Sequence, residues 1–510
     1  MNFAELVAAT NYSFLRGASH PGDMVARALE LGMAGIGIAD RNSVAGVVRA
    51  WSALNDACDQ ACRTLEEIGF RLIVGSRLVF ADATPDIIAY PATRHGWGRL
   101  TRLLTVGHRR AEKGDCILHF ADLMAHAEDL LLIVLADDSH EFLLRRLAEE
   151  RPEAVWLGAT MPRQGCDRRR LAKLKRLADR IGVPLLATND ALFASPEDRP
   201  LHDVVTCIRE GVTIQSAGRL LAANAERHLK SPGEMARLFR DCPEVVEESL
   251  NFLSRIHFTL DELRYEYPHE PVPDGWTAQS WLEHLVMNAA NKRHPGGLPP
   301  KWQKVLDEEF GLIRKCEYAN YFLTVHDIVQ FARRQDPPIL CQGRGSAANS
   351  LVCYLLEITP IDPVENNLLF TRFLSEERRE PPDIDVDFEH ERREEVMQYV
   401  YRRYGRERAG IAATVIHYRS RSTVREAGKA LGLSEDVTAR LASTIWGSYE
   451  NDLEEDRYGE AGLVLANPDI ARLQAIVDRL LKFPRHLSQH GSRPAIPRRS
   501  GSAPRNCRSG

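Results

Sequence analysis

The chain has 510 residues, of which 44% are hydrophobic, 7% aromatic and 27% charged, with a formal net charge of -5. That composition belongs to a globular protein with material for two to four domains. The longest apolar run, residues 130–136, is far too short to cross a bilayer, and no signal-peptide pattern follows Met1, so a cytoplasmic protein is expected. The ten cysteines are scattered without the paired spacing of a zinc tetrad, which points to reduced thiols, and the small net charge means that any nucleic-acid site must be a local basic patch.

Up to about residue 215, short apolar runs at 35–38, 71–80, 87–90, 130–136, 155–158 and 184–187 alternate with stretches of helical spacing at 21–31, 44–68 and 168–181. This is the pattern of an α/β domain with a mostly parallel sheet, and a barrel-like arrangement places its site at the strand C-termini, near Asp40, Asn189 and Asp190. Residues 258–275 are rich in Pro and acids and predict a linker. Helices are then expected at 278–292, 301–315 and 321–334, a strand at 338–341, a glycine loop, a further helix and an acidic strand near 385. Beyond 424 the pattern turns helical, with Ser434 as N-cap of a helix over 435–445 and another near 470–482. From Gly491 onward there are five Arg and no acid, and residues 491–510 are expected to be a disordered, aberrant tail of the kind a frameshift produces.

Three segments carry the chemistry. In residues 381–390, Asp383, Asp385 and Asp387 alternate with Ile384, Val386 and Phe388, so a strand would bury the apolar set and line one face with carboxylates. Parallel carboxylates repel unless cations lie between them, and hard oxygen ligands suit Mg2+; two ions about 4 Å apart could activate a 3′-oxygen and stabilise a leaving pyrophosphate. A solvated edge strand is an equal reading of the motif taken alone. The second segment, 339–359, sets Gly343, Arg344, Gly345 and Ser346 between strand and helix, where backbone N–H groups and a guanidinium can hold an anion, although a plain turn uses the same residues and the spacing is not that of a Walker A motif. The third, 402–425, holds seven Arg against the single acid Glu407, with Tyr404, His417 and Tyr418 interleaved. Arg419, Arg421, Arg425 and Tyr418 are its candidate nucleic-acid contacts, and a solvated helix face is the alternative.

In this order, YFLTVHDIVQFAR, GRGSAANSLVCYLLEIT, LLFTRFLSEER and PPDIDVDF resemble the palm of bacterial C-family DNA polymerases, the family of the polymerase III alpha subunit; NYSFLRGASHP and RPLHDVVTCIREG resemble its error-prone, damage-induced branch. The resemblance implies a polymerase and histidinol phosphatase (PHP) type distorted (β/α) barrel over 1–257, a linker at 258–275, the first part of the palm at 276–416 and a helical thumb at 417–490. It implies nucleotidyl transfer in error-prone translesion synthesis, with Asp385 and Asp387 as metal-binding catalytic residues for Mg2+ and Asp383 outside the catalytic pair. Arg344, Gly345, Ser346 and Arg378 would hold the triphosphate of an incoming deoxynucleotide. The implied partners are primer-template DNA, deoxynucleoside triphosphates, the sliding clamp and a Y-family-like accessory protein.

The family's third catalytic carboxylate would fall past Gly510, so this chain is expected to lack it and to be inactive alone. The metal ligands of the PHP domain look eroded: Val7 and Ala9 replace His-x-His, Asp40-Arg41 replaces Asp-His, Arg77 stands for the usual Glu and Leu192 for a His. Asp40, Asp190 and His202 survive, too few for a three-metal site, which predicts a scaffold without phosphoesterase activity. A PHP-type metal phosphoesterase and a non-catalytic DNA-binding remnant are the competing functions.

Overall fold

The computed structural model describes residues 2–112, 114–263, 270, 272–368, 383–406, 408–445 and 455–495, the side chains of 138 and 489–495 excepted. The chain forms two compact units, one built mainly from Met1–Leu263 and Ala412–Ser492, the other mainly from Arg264–Ile411.

The first unit holds a seven-stranded sheet in sequential order: β1 (Ala4–Ala8), β2 (Gly35–Arg41), β3 (Arg71–Leu78), β4 (Ile87–Pro91), β5 (Leu130–Val134), β6 (Val155–Ala159) and β7 (Leu185–Ala187). All neighbours are parallel except β4, which runs antiparallel to both β3 and β5. The sheet curls until Ala191, just past β7, bridges Ala8 at the end of β1, with Ala9 N–H donating to the Ala191 carbonyl at 2.9 Å. This is the distorted α/β barrel expected from the strand pattern. Most of these strands are buried on both faces, which is why they read as unbroken apolar runs.

β1 was not among the predicted strands, because Glu5 interrupts its apolar run. The carboxylate is fully buried and accepts hydrogen bonds from Val7 N at 2.9 Å, Asn189 N at 2.7 Å and the Thr188 hydroxyl, joining β1 to the segment after β7. The predicted helix at 44–68 is two helices, Val47–Ala61 and Leu65–Ile68. Cys62 turns left-handed at φ 51, and a capping box between Thr64 and Glu67 starts the second. Inside the curl, Tyr90 fills the space that Gly37 and Gly75 leave open: a Cβ on Gly37 would lie 2.3 Å from its hydroxyl oxygen, and one on Gly75 2.6 Å from its ring. Its hydroxyl donates to the Leu6 carbonyl at 2.7 Å.

Residues 412–492 add helices Ser420–Leu431, Glu435–Ser443 and Pro468–Leu480. Val424, Ala427, Leu473 and Val477 share one core with Val204 and Val205 of helix Arg199–Glu210. Arg479 pairs with Asp198, and Gln215 Nε2 donates to the Leu431 carbonyl at 3.1 Å. The segment expected as a thumb therefore packs within the α/β unit. Strands β10 (Gly410–His417) and β11 (Pro484–Ala495) pair as a ribbon, so the segment expected to be unstructured from 491 begins inside a strand; its remainder, 496–510, lies outside the described residues.

The second unit is a helical cluster. Helices Ala278–Arg293, Pro300–Lys315, Ala319–Arg333 and Leu351–Leu355 bury Leu282, Val286, Leu306, Phe310, Phe322 and Val352 against one another. On this core rests a two-stranded antiparallel ribbon of β8 (Cys341–Arg344) and β9 (Asp385–Phe388). The predicted strand at 338–341 is thus displaced, and Gly343 and Arg344 belong to the strand, because pairing with β9 extends it. Among the described residues no helix is long and apolar enough to cross a membrane.

Candidate functional site

β9 follows the alternation in its sequence. Ile384 and Val386 pack on the helical core, and Phe388 packs with Ala332, Ile339 and Val396. Asp383, Asp385 and Asp387 are left to the opposite face. β8 pairs Arg344 with Asp385 and Gln342 with Asp387 in register, and the Arg344 guanidinium reaches diagonally to Asp387, Nε to Oδ2 2.5 Å, with both side chains more than half exposed. The cation lies against the acid face and relieves the repulsion between its carboxylates.

The ribbon needs glycine at two places for different reasons. A Cβ at Gly343 would sit 2.6 Å from the Ile358 carbonyl oxygen, to which Gly343 N–H donates. Gly345 turns left-handed at φ 65, and the open space on its Cα faces Asp385, whose Oδ2 would be 3.9 Å from a Cβ there. Ser346 Oγ donates to the Asp383 carbonyl at 2.9 Å, tying the turn to the start of the acidic strand, and Tyr321 Oη accepts from Ile384 N at 3.1 Å.

The turn continues as a 3-10 helix, Gly345–Asn349, and then the short helix Leu351–Leu355. Its N-terminus was expected to be free for an anion. It is taken by Glu309, whose carboxylate accepts from Leu351 N at 2.7 Å, Val352 N at 3.0 Å and Ser350 Oγ at 2.8 Å. Glu309 is fully buried, and burial pushes its pKa up to about 7 despite those donors. Sequence reasoning missed it, although a signal existed: it is the one acid on the apolar stripe Trp302, Leu306, Phe310, Ile313 of its helix.

The remaining expected residues are scattered. Arg378 lies outside the described residues. Tyr418 is only 2% exposed, inside the core shared with helix Arg199–Glu210, so its ring is not offered to a base. Arg421 is exposed, but its Nε donates to the Ile445 carbonyl at 2.9 Å, whereas Arg419 and Arg425 stand exposed on helix Ser420–Leu431 and its cap. The acids missing from the basic strip come from other elements: Arg403 pairs with Glu270 at 3.1 Å and Asp327 at 3.6 Å.

In the first unit, the polar residues at the strand ends are engaged with one another. Asp40 is fully buried and accepts from Thr10 N at 2.7 Å, Ser13 Oγ at 2.7 Å and Thr10 Oγ1 at 2.9 Å; burial raises its pKa against those bonds. Asp190 is gripped by Arg77 and Arg227, which hold its pKa below the usual carboxylate range although burial opposes them. His202 is 6% exposed, and burial together with the charges of Arg227, Arg199 and Arg209 lowers its pKa to about 4. Among the described residues no group of three or more His, Cys, Asp or Glu is arranged to hold a metal.

Residues 280–496 match the family model for the bacterial DNA polymerase III alpha NTPase domain, and residues 5–161 match the PHP domain. The chain is 55% identical over 493 residues to an error-prone DNA polymerase of Rhodopseudomonas palustris, covering 96% of this chain and 44% of that protein. It is 53% identical over 500 residues to one of Bradyrhizobium diazoefficiens and 52% over 492 to one of Caulobacter vibrioides, covering 96% of this chain in each case and 42% and 44% of those proteins. The chain thus spans less than half the length of the curated relatives it matches.

Proposed function

Because this chain belongs to the family of the bacterial DNA polymerase III alpha subunit, we propose that its acidic ribbon belongs to the nucleotidyl-transfer centre of an error-prone DNA-directed DNA polymerase acting in damage-induced translesion synthesis in the cytoplasm. The observation that carries the reading is the pairing of β8 with β9, which sets Asp385 and Asp387 on one strand face with Arg344 and the Gly345-Ser346 turn beside them. The acid pair fits a divalent cation: it offers hard oxygen donors, a cation already rests against Asp387, and Gly345 leaves room beside Asp385. Asp385 and Asp387 would hold Mg2+, which when bound acidifies the primer 3′-hydroxyl and neutralises charge building on the phosphates.

The chain's own residues do the positioning. Arg344 would offer its fork to phosphate oxygens of a deoxynucleoside triphosphate, and Gly345 and Ser346 lie along the same edge. Arg378 is proposed to join them. Arg419, Arg425 and, less freely, Arg421 supply cations for the backbone of primer-template DNA, while Tyr418 acts through the core rather than by stacking. The first unit is a scaffold in this reading, since Arg77 holds Asp190 where a metal would need it. The sliding clamp and a Y-family-like accessory protein are the partners proposed for the full-length enzyme.

The test is Mg2+-dependent binding of a fluorescent deoxynucleoside triphosphate to the 510-residue chain, alongside salt-dependent binding of primer-template DNA. Asp385→Ala and Asp387→Ala should abolish the metal dependence of nucleotide binding and leave DNA binding intact, whereas Arg419→Ala with Arg425→Ala should weaken DNA alone. Nucleotide binding that ignores both aspartates would overturn the reading and leave a DNA-binding remnant.

A further inference from the structure

Helix Asp167–Ile181 of the first unit shares a core with Leu157 of β6 and Leu185 of β7 through Leu171, Leu174, Leu177 and Ala178. The rest of it is strongly basic. Seven of its 15 residues are Arg or Lys against two acids, Asp167 and Asp179, in a chain whose net charge is -5.

These cations fall into two sets. Arg168 pairs with Asp241 at 3.2 Å, Lys175 with Glu244 at 2.6 Å and Arg180 with Glu141 at 2.8 Å, so the acids of the neighbouring elements are already engaged. Arg170 turns to the protein and donates to the Thr160 hydroxyl at 2.9 Å. Arg169, Lys173 and Arg176 are exposed, and among the described residues none of the three has a carboxylate partner. Their i, i+4, i+7 spacing sets them in one line on the side of the helix away from Leu171, Leu174 and Ala178.

Nothing within the fold stabilises this arrangement. Like charges three and four residues apart on a helix repel, Arg169 against Lys173 and Lys173 against Arg176. Arginines at 168, 169 and 170 also crowd the positive end of the helix dipole, where Asp167 is the single acid. A solvated helix face interleaves acids with its bases, and here Asp179 alone lies beside the line. Repulsion of this kind is relieved by a polyanion.

We propose that the line of Arg169, Lys173 and Arg176 docks the phosphate backbone of duplex DNA, as a contact surface additional to the acidic ribbon and to Arg419 and Arg425. Arg169 and Arg176 stand about 10 Å apart along the helix axis. One strand of a duplex presents a phosphate every ~3.4 Å of its axis, so three cations meet three successive phosphates. An acidic protein partner fits less well, because the line offers no aromatic or long aliphatic anchor to bury, only Ala172 beside it. The surface does not depend on the nucleotide reading of the ribbon, and backbone contacts of this kind are blind to sequence.

The test is fluorescence anisotropy of a short blunt duplex with the 510-residue chain carrying Arg419→Ala and Arg425→Ala, at several salt concentrations, with and without Arg169→Gln, Lys173→Gln and Arg176→Gln together. The three substitutions should make the log-log salt dependence shallower by about three, so that the parent's advantage shrinks about fortyfold between about 50 and 200 mM salt. Duplexes of unrelated sequence should behave alike. The melting temperature of the triple variant should match or exceed the parent's, since like-charge repulsion is removed. Absence of duplex binding in this background, or an unchanged slope in the folded triple variant, overturns the proposal. So does poly-glutamate that binds tighter than duplex through the same three cations, which would assign the line to an acidic protein. In the unsubstituted chain, saturating duplex should slow acetylation of Lys173 by an N-hydroxysuccinimide ester, and an unchanged rate also sinks the inference.

Discussion

Glu309 offers a perturbation whose size can be worked from the structure. It sits fully buried behind the Gly345-Ser346 turn, and three donors from residues 350–352 converge on its carboxylate. Burial raises its pKa to about 7 from an ordinary 4.5. Below pH 4.5 Glu309 is protonated in folded and unfolded chains alike. Between 4.5 and 7 the unfolded chain ionises first, so stability falls as pH rises, and above 7 the full cost of the desolvated charge is present. At about 1.4 kcal/mol per pH unit, that window is worth about 3 kcal/mol. Glu309→Gln keeps the shape and cannot titrate. Hydrogen exchange of peptides covering 351–358, converted to opening free energies at pH 4.5, 6 and 8, should show the difference between wild type and variant moving by about 3 kcal/mol in favour of the variant as pH rises. Parallel curves would refute the reasoning, since they would mean that Glu309 titrates alike in both states.

Gly343→Ala should break the β8–β9 pairing, because its Cβ would meet the Ile358 carbonyl oxygen at 2.6 Å; loss of metal-dependent nucleotide binding and a fall in stability of about 2 kcal/mol are expected by denaturant unfolding. Tyr90→Phe leaves the Leu6 carbonyl buried and unpaired and should cost about 1–3 kcal/mol in the same assay, with the fold retained in circular dichroism. Tyr418→Ala should cost about 3 kcal/mol of stability with little direct effect on DNA affinity at temperatures where the variant is folded, whereas Arg425→Ala should do the reverse.

Much of this architecture is legible in the chain. Runs such as 130–136 and 155–158 are apolar because helices and barrel interior cover both faces, and the Asp-Ile-Asp-Val-Asp-Phe alternation announces an amphipathic strand whose apolar side is indeed packed. What escapes is whatever depends on a distant partner. β1 is hidden because Glu5 is tolerable only once Thr188 and Asn189 arrive to receive it. Tyr418 reads as an aromatic in a basic strip, yet its ring is buried by helices that form far away in sequence. The helix N-terminus after the glycine turn reads as an anion site, and only folding reveals that Glu309, some forty residues upstream, already fills it.

The two acid sites of the molecule differ in how deeply their ion pairs are buried. Each places an arginine against an aspartate, but the environments differ. Arg77 and Asp190 are mostly buried, with side chains 13% and 18% exposed, and freeing Asp190 for a metal would strand desolvated charge on Arg77 and Arg227, at a cost of several kcal/mol. Arg344 and Asp387 are 66% and 56% exposed, and water replaces that pair at a cost of about 1 kcal/mol or less. In the proposed reading the exposed Arg344–Asp387 pair is the one that would yield to a ligand, whereas the Arg77 pair is locked. Exposure of the ion pair, more than the number of carboxylates nearby, is what sets the acidic ribbon apart from the barrel end: its charges are solvated and can exchange partners, and those of the barrel end cannot without desolvated charge being stranded.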